Sequence, residues 1–211
     1  MHIILLGDSV FDNQSYVKPD ESDVRGQFQD ALPEGDQVTL LAIDGSIIET
    51  VFAQLKRLPR NATHLIISAG GNNLIGEMHT FNQPTTSTLE VLQRVGRLAT
   101  TFRQNYRSLI QTVVEYELPT VLCTMYNPRF PETELRQAAM IALSVFNDAI
   151  IQEAVTVGLP VVDLRLVCTE DTDFANPIEP SARGGTKIVR SLMRVLHEHN
   201  FKRRQTVIYG L

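Results

Sequence analysis

The sequence predicts an α/β fold: a three-layer, flavodoxin-like sandwich built on a five-stranded parallel sheet. Two observations point there. Five short apolar runs alternate with stretches of helical periodicity from one end of the chain to the other. Four of those runs are followed at once by turn-forming residues with chemically useful side chains. No low-complexity segment, long linker or internal repeat interrupts the alternation, so 1–211 reads as a single domain.

Residues 2–6 open the chain as a buried strand. Helical periodicity covers about 24–32, and residues 38–43 form the second apolar run. A helix over 47–58 leads to the third run, 65–68. A longer helix over 89–116 precedes the fourth run, 120–124, which starts just after Pro119. Residues 131–157 form the next helix, 160–163 begin the fifth strand, and a helix over 181–197 follows. Such units are expected to join by right-handed crossovers with helices on both faces; the strict alternation, together with the order of the motif blocks, gives the expected strand order 2-1-3-4-5.

A chain of 211 residues is long enough for a sizeable core. The net charge of −5 gives no electrostatic case for nucleic acid, and Lys202-Arg203-Arg204 reads as a solvated cluster. Cys123 and Cys168 make neither a disulfide framework nor a zinc pattern and are expected to be free thiols. No Gly-x-Gly-x-x-Gly or Walker pattern is present, and no cofactor is expected. The N-terminus lacks signal-peptide anatomy, and no stretch is expected to reach membrane-spanning length. A cytoplasmic protein without a membrane partner is the expectation; the oligomeric state is open.

In this frame, residues just after a strand lie on the ligand-binding rim and residues just before one lie at the opposite end. The rim receives Gly7-Asp8-Ser9-Val10, Asp44-Gly45-Ser46, Gly70-Gly71-Asn72-Asn73 and Met125-Tyr126-Asn127-Pro128. Each alone also reads as an ordinary strand-ending turn. Their common placement is more informative than any one of them. Gly7 permits a tight turn, after which Ser9 is a candidate nucleophile.

In this order the segments resemble the sequence blocks of the SGNH, or GDSL, hydrolases. Gly7-Asp8-Ser9 matches the first block, Gly45 the second, and Gly70-Gly71-Asn72-Asn73 the third, usually written Gly-x-Asn-Asp. The resemblance implies a flavodoxin-like sandwich and hydrolysis of an ester or acyl bond in a small-molecule substrate. It also implies Ser9 as nucleophile and three oxyanion donors: the N–H groups of Ser9 and Gly45 and the amide of Asn72. Fixed donors around one developing negative charge lower an acyl-transfer barrier, and a glycine lets backbone approach substrate.

Two departures stand out. Asn73 occupies a position where the family usually has Asp. The last block, normally Asp-x-x-His, matches Asn176-Pro177-Ile178-Glu179, which puts Glu179 in the place of the histidine. Asp8, Asn73 and Asn176 are the candidate binding residues beside Ser9, Gly45, Asn72 and Glu179. A serine hydroxyl needs a base nearby, and a carboxylate of ordinary pKa, about 4.3, is weak at neutral pH unless burial raises it.

Other histidines are poorly placed. His2 and His64 precede strands, and His197 and His199 close a helix that carries them about 25 Å from the rim at 1.5 Å per residue. His79 alone falls on the correct side, in a loop over 75–87 that is expected to cover the pocket and whose Met78 and Phe81 face substrate or core. As an exposed loop histidine it would have no role. Asp163, Asp171 and Asp173 either cap turns or orient a base. Two other readings compete with a hydrolase: a catalytically weak relative that binds an acyl or carbohydrate ligand, and a flavodoxin-like phosphate binder. The absence of Trp gives little support for stacking on extended sugars.

Overall fold

The computed structural model describes every residue except Asn82, and Phe81 by its backbone alone. Its strands are β1 (His2–Gly7), β2 (Gln37–Leu40), β3 (His64–Ser68), β4 (Thr120–Cys123), β5 (Val161–Val162) and β6 (Ile208–Tyr209). All pair in parallel in the order β2-β1-β3-β4-β5-β6. The expected five-strand order is therefore present, with a sixth strand added at its edge. A two-residue edge strand buries only one side chain, Tyr209, while Ile208 stays half exposed. Such a strand leaves almost no apolar signature in the sequence.

The helices are α1 (Val24–Ala31), α2 (Ile48–Leu55), α3 (Gly71–Gly76), α4 (Met78–Phe81), α5 (Thr88–Val114), α6 (Thr133–Val157), α7 (Leu164–Val167) and α8 (Ala182–Glu198). The expected loop over 75–87 is thus partly helical, since α3 runs into it and α4 lies within it; Asn82 and the Phe81 side chain lie outside the described residues. The second strand is shorter than expected. At its end Leu41 and Ala42 both donate to the Leu5 carbonyl, so the chain leaves the ladder there.

Side chains alternate across the sheet. Ile4, Leu6, Leu65, Ile67, Leu122 and Val161 pack under α2, α5 and α6. Ile3, Leu5, Ile66, Val121, Cys123 and Val162 face α1, α7 and α8. Burial on both faces explains why the strands read as unbroken apolar runs. Cys123 and Cys168 are free and buried on the second face, and burial pushes both thiols upward.

α6 corrects one expectation. At 25 residues it is long and apolar enough to cross a membrane. Here it packs on the sheet and α5, and its inner face holds two polar anchors. Glu153 pairs with Arg103 at 2.7 Å and Arg107 at 2.9 Å on α5. Asn147 exchanges two hydrogen bonds with the Met125 backbone, each 2.8 Å.

The strand order reverses direction between β1 and β3, the position where ligands bind in open α/β sheets. Gly7 makes the approach of their ends possible. Its φ is +123°, and a Cβ would lie 1.6 Å from the Ser68 carbonyl oxygen. Gly7→Ala is therefore expected to lower stability by about 3 kcal/mol or more, read from the denaturation midpoint. An unchanged midpoint would mean that the two strand ends can separate freely.

Candidate active site

Ser9 sits on the turn that leaves β1. The Asp8 N–H donates to Ser68 O at 3.1 Å, which locks the turn against β3. The buried Gln54 of α2 holds it from the other side. Gln54 accepts from the Gly7 N–H at 2.7 Å and donates to the Gly7 carbonyl at 2.8 Å and to Ser46 Oγ at 3.2 Å. The side chain of Asn13, fully buried, accepts from Val24 N and donates to Pro180 O, tying the segment after Ser9 to the one that carries Glu179.

Asn72 stands in the first turn of α3. Its Nδ2 donates to the Ser46 carbonyl at 2.9 Å, which uses one amide hydrogen and leaves the other free. That bond also joins the third motif to the second, next to Gly45. Gly45 is exposed at the rim, with φ +77° and nothing within 4 Å of an added Cβ. It serves the turn rather than a close contact. The Ser9 and Gly45 N–H groups find no acceptor among the described residues.

Asp8, Ser9, Asn72 and Glu179 line one cavity of about 340 Å³. Gly45, Asn73 and Asn176 are not part of its lining. Asn73 turns toward α2 instead, where its Oδ1 accepts from Ile48 N at 2.9 Å and its Nδ2 donates to Glu49 at 3.0 Å. The Asn176 Oδ1 accepts from the N–H groups of Ile178 and Glu179, both at 3.0 Å. It shapes the turn that presents Glu179 and does not orient the carboxylate. As candidate binding residues, Asn73 and Asn176 fall in the scaffold and not in the cavity lining: the Oδ1 of each accepts from backbone N–H groups, and Asn73 Nδ2 donates to the Glu49 carboxylate.

Glu179 is only 6% exposed. Its carboxylate lies beside Ser9, and Oε2 is buried without a hydrogen-bond partner among the described residues. Burial pushes its pKa up to about 7, against the pull of the Ser9 hydroxyl and with the aid of the Asp44 charge. Burial likewise pushes Asp8 up to about 7; the Val10 N–H opposes this and the Glu179 charge adds to it. The lining contains two carboxylates and no Lys, Arg or His. Two such groups in one cleft resist simultaneous ionisation.

The histidines lie elsewhere. His2 bonds Asn61 and Thr39, His64 bonds Thr63, and His199 faces Tyr209. His79 is exposed on α4 and its Nδ1 bonds Gly76 O at 2.9 Å. Its neighbour Met78, not His79, reaches the cavity. Asp163 caps α7 and pairs with Arg165, Asp173 is buried against Lys187, and Asp171 lies near Arg129. None of the three lines the cavity.

No sequence-family model matches the chain, and no curated protein matches by sequence. Solved structures do match. A member of the lipolytic protein G-D-S-L family from Veillonella parvula superposes with a TM-score of 0.68 at 14% identity, covering 94% of this chain and 100% of its own. The fold is that of the SGNH hydrolases. An acetyl xylan esterase gives 0.68 at 15% identity, covering 93% and 100%. The extracellular lipase of Streptomyces rimosus gives 0.66 at 16% identity, covering 92% and 99%. Across the SGNH fold, then, the architecture persists at identities too low to transfer chemistry, and the chemistry must be argued from this cleft.

Proposed function

We propose that the protein is a serine hydrolase of esters or acyl groups in which Glu179 replaces the usual imidazole. The observation that supports this is the buried Glu179 carboxylate set against the Ser9 hydroxyl, with its Oε2 unpartnered among the described residues, in a cavity lined by no other base except Asp8. A buried carboxylate oxygen without a partner is costly in a fold unless it has a task.

In the proposed cycle Glu179 takes the Ser9 Oγ proton as the oxygen attacks the acyl carbon. The carbonyl π pair moves onto oxygen, where the Ser9 N–H and the free Asn72 amide hydrogen stabilise it; Gly45, outside the cavity lining, shapes the turn that carries Ser46. Collapse restores the carbonyl and breaks the bond to the leaving oxygen, which takes the proton from Glu179. Water, deprotonated by Glu179, then cleaves the acyl-serine. Ser9 recovers its proton and the acid is released. Asn73 and Asn176 support this at a distance, by fixing the α2 terminus and the Glu179 turn.

A fluorophosphonate probe followed by peptide mapping tests the reading directly. Labelling is expected on Ser9, absent from Ser9→Ala and weak in Glu179→Gln. A wild-type protein that stays unlabelled and turns over no member of a broad ester panel would overturn it. The cleft would then be that of an acyl-ligand binder without catalysis.

A further inference from the structure

Phe130 lines both the Ser9 cavity and a second, more open pocket of about 400 Å³. The two are opposite in charge. The Ser9 cavity holds two carboxylates and no cation, whereas the second pocket is lined by Arg129 and Arg136, with Asp171 as its acid. Arg129 is built into the wall. Its N–H donates to the Pro177 carbonyl at 2.7 Å, its Nη2 donates to the Thr169 carbonyl, and its guanidinium carbon lies 5.3 Å from the centre of the Phe174 ring. Its Nε is buried without a hydrogen-bond partner among the described residues; the exposed Asp171 carboxylate is 3.5 Å away. Arg136 stands in the first turn of α6, where the helix dipole disfavours a cation. Among the described residues its guanidinium meets no carboxylate and no other acceptor. Asn176 adds a neutral donor. Its Oδ1 is held by the N–H groups of Ile178 and Glu179, which fixes the amide, and its Nδ2 has no acceptor among the described residues.

We propose that this pocket binds a carboxylate and that, resting on the hydrolase reading, the carboxylate is part of the substrate, remote from the ester. Two arginines against one aspartate leave a single net positive charge, which a monoanion neutralises and a dianion overshoots. A planar carboxylate takes two N–H bonds from a guanidinium fork, and the Asn176 amide supplies a third. The rings of Phe130 and Phe174 exclude water from one side of the pair and so strengthen it. The same group is kept out of the Ser9 cavity, where Asp8 and Glu179 repel it. The two clefts thus sort one molecule by charge, with its neutral ester at Ser9 and its anion beyond Phe130. They are also joined structurally. Asn176 holds the turn that carries Glu179. Tyr126, which lines the Ser9 cavity, donates to the Ile178 carbonyl at 2.6 Å and packs its ring 5.1 Å from that of Phe174.

Binding is tested without turnover, by calorimetric titration with benzoate and with its neutral analogue benzamide. Wild type is expected to bind benzoate about tenfold more tightly at low salt, and added salt should narrow the difference. Arg136→Gln should abolish it and Arg136→Lys should keep part of it. Glu179→Gln distinguishes the two clefts, because removing a carboxylate would tighten benzoate only if benzoate sat beside Ser9. The substrate role is tested with matched esters. p-Nitrophenyl hemiesters of diacids from glutarate to suberate are compared with equally long neutral esters, and 3- and 4-carboxyphenyl acetate with phenyl acetate. In at least one pair the anionic member is expected to be favoured about tenfold in kcat/KM, mainly through KM, and Arg136→Gln should bring that ratio close to one.

The outcomes separate the two ideas. Benzoate bound no better than benzamide, or bound equally well by Arg136→Gln, overturns the carboxylate site whether or not esters are turned over. Arg136-dependent benzoate binding with Ser9-dependent hydrolysis that ignores the carboxylate in every pair overturns the substrate role; the occupant would then be a free anion. Arg136-dependent binding with no turnover of any ester supports the site and overturns the hydrolase reading.

Discussion

Glu179→Gln is expected to lower Ser9-dependent kcat by up to about 10⁴-fold, the upper range for a general base. The amide is nearly isosteric and keeps the Asn176 turn, which contacts only the Glu179 backbone. Loss of activity would therefore report loss of the base. Stability supplies the control. The folded carboxyl, pushed up to about 7 by burial, lies above its ordinary value of about 4.3. The folded state thus binds the proton more tightly than the unfolded one. The resulting stabilisation is present in acid and is lost as pH rises to about 7. Removing this carboxylate should leave the protein at least as stable as wild type at pH 8. The wild-type rate should rise with pH, with its half-maximum near pH 7, and the limb should disappear in the variant. Glu179→His should retain activity near neutrality, because an imidazole titrates there without help from burial. Full activity in Glu179→Gln would remove Glu179 as the base.

Asn72→Ala is expected to cost about 10²–10³ in kcat with a much smaller change in KM. The distinction follows from where the amide points its hydrogens. One is held by Ser46 O and fixes the side chain; the other is free to meet an oxygen that becomes charged only during reaction. Deleting the side chain also frees Ser46 O, so thermal denaturation of the same variant measures the structural share. A kcat within twofold of wild type would take Asn72 out of the oxyanion role.

The sequence is most explicit where chain direction and chemistry coincide. Apolar runs ending in Gly-Asp-Ser or Gly-Gly-Asn-Asn declare both a strand and the rim it points to, so Ser9 and Asn72 could be brought together from spacing alone. Glu179 could not, since nothing local separates it from a helix-start carboxylate; its position came from the resemblance to the final SGNH block. Asn73 and Asn176 meet a related limit. An amide in a motif looks available, and only coordinates reveal that its oxygen already accepts from backbone N–H groups.

The residues that hold the rim together lay outside every motif. Gln54 and Asn147 are helical, and each sits on an apolar stripe: Gln54 after Val51, Asn147 between Leu143 and Ile150. A polar side chain on a core-facing stripe is a detectable signal, because burial of an amide demands partners. The short α3, α4 and α7 and the two-residue β6 were missed because elements of one turn or two residues are defined by contacts more than by pattern.

α6 is divided along its length. From Phe146 onward it is fixed by Phe146, Ile150, Ala154 and the Glu153 pairing with α5. Ahead of that point Leu135, Met140 and Ile141 are exposed, while Ala138 and Ala139 face the cavity. Substitutions in the first half alter the space offered to a ligand at little cost to folding, and those in the second half do the reverse. Mutational drift in one helix can therefore reshape the space the cavity offers while the scaffold and the serine that follows β1 are inherited unchanged.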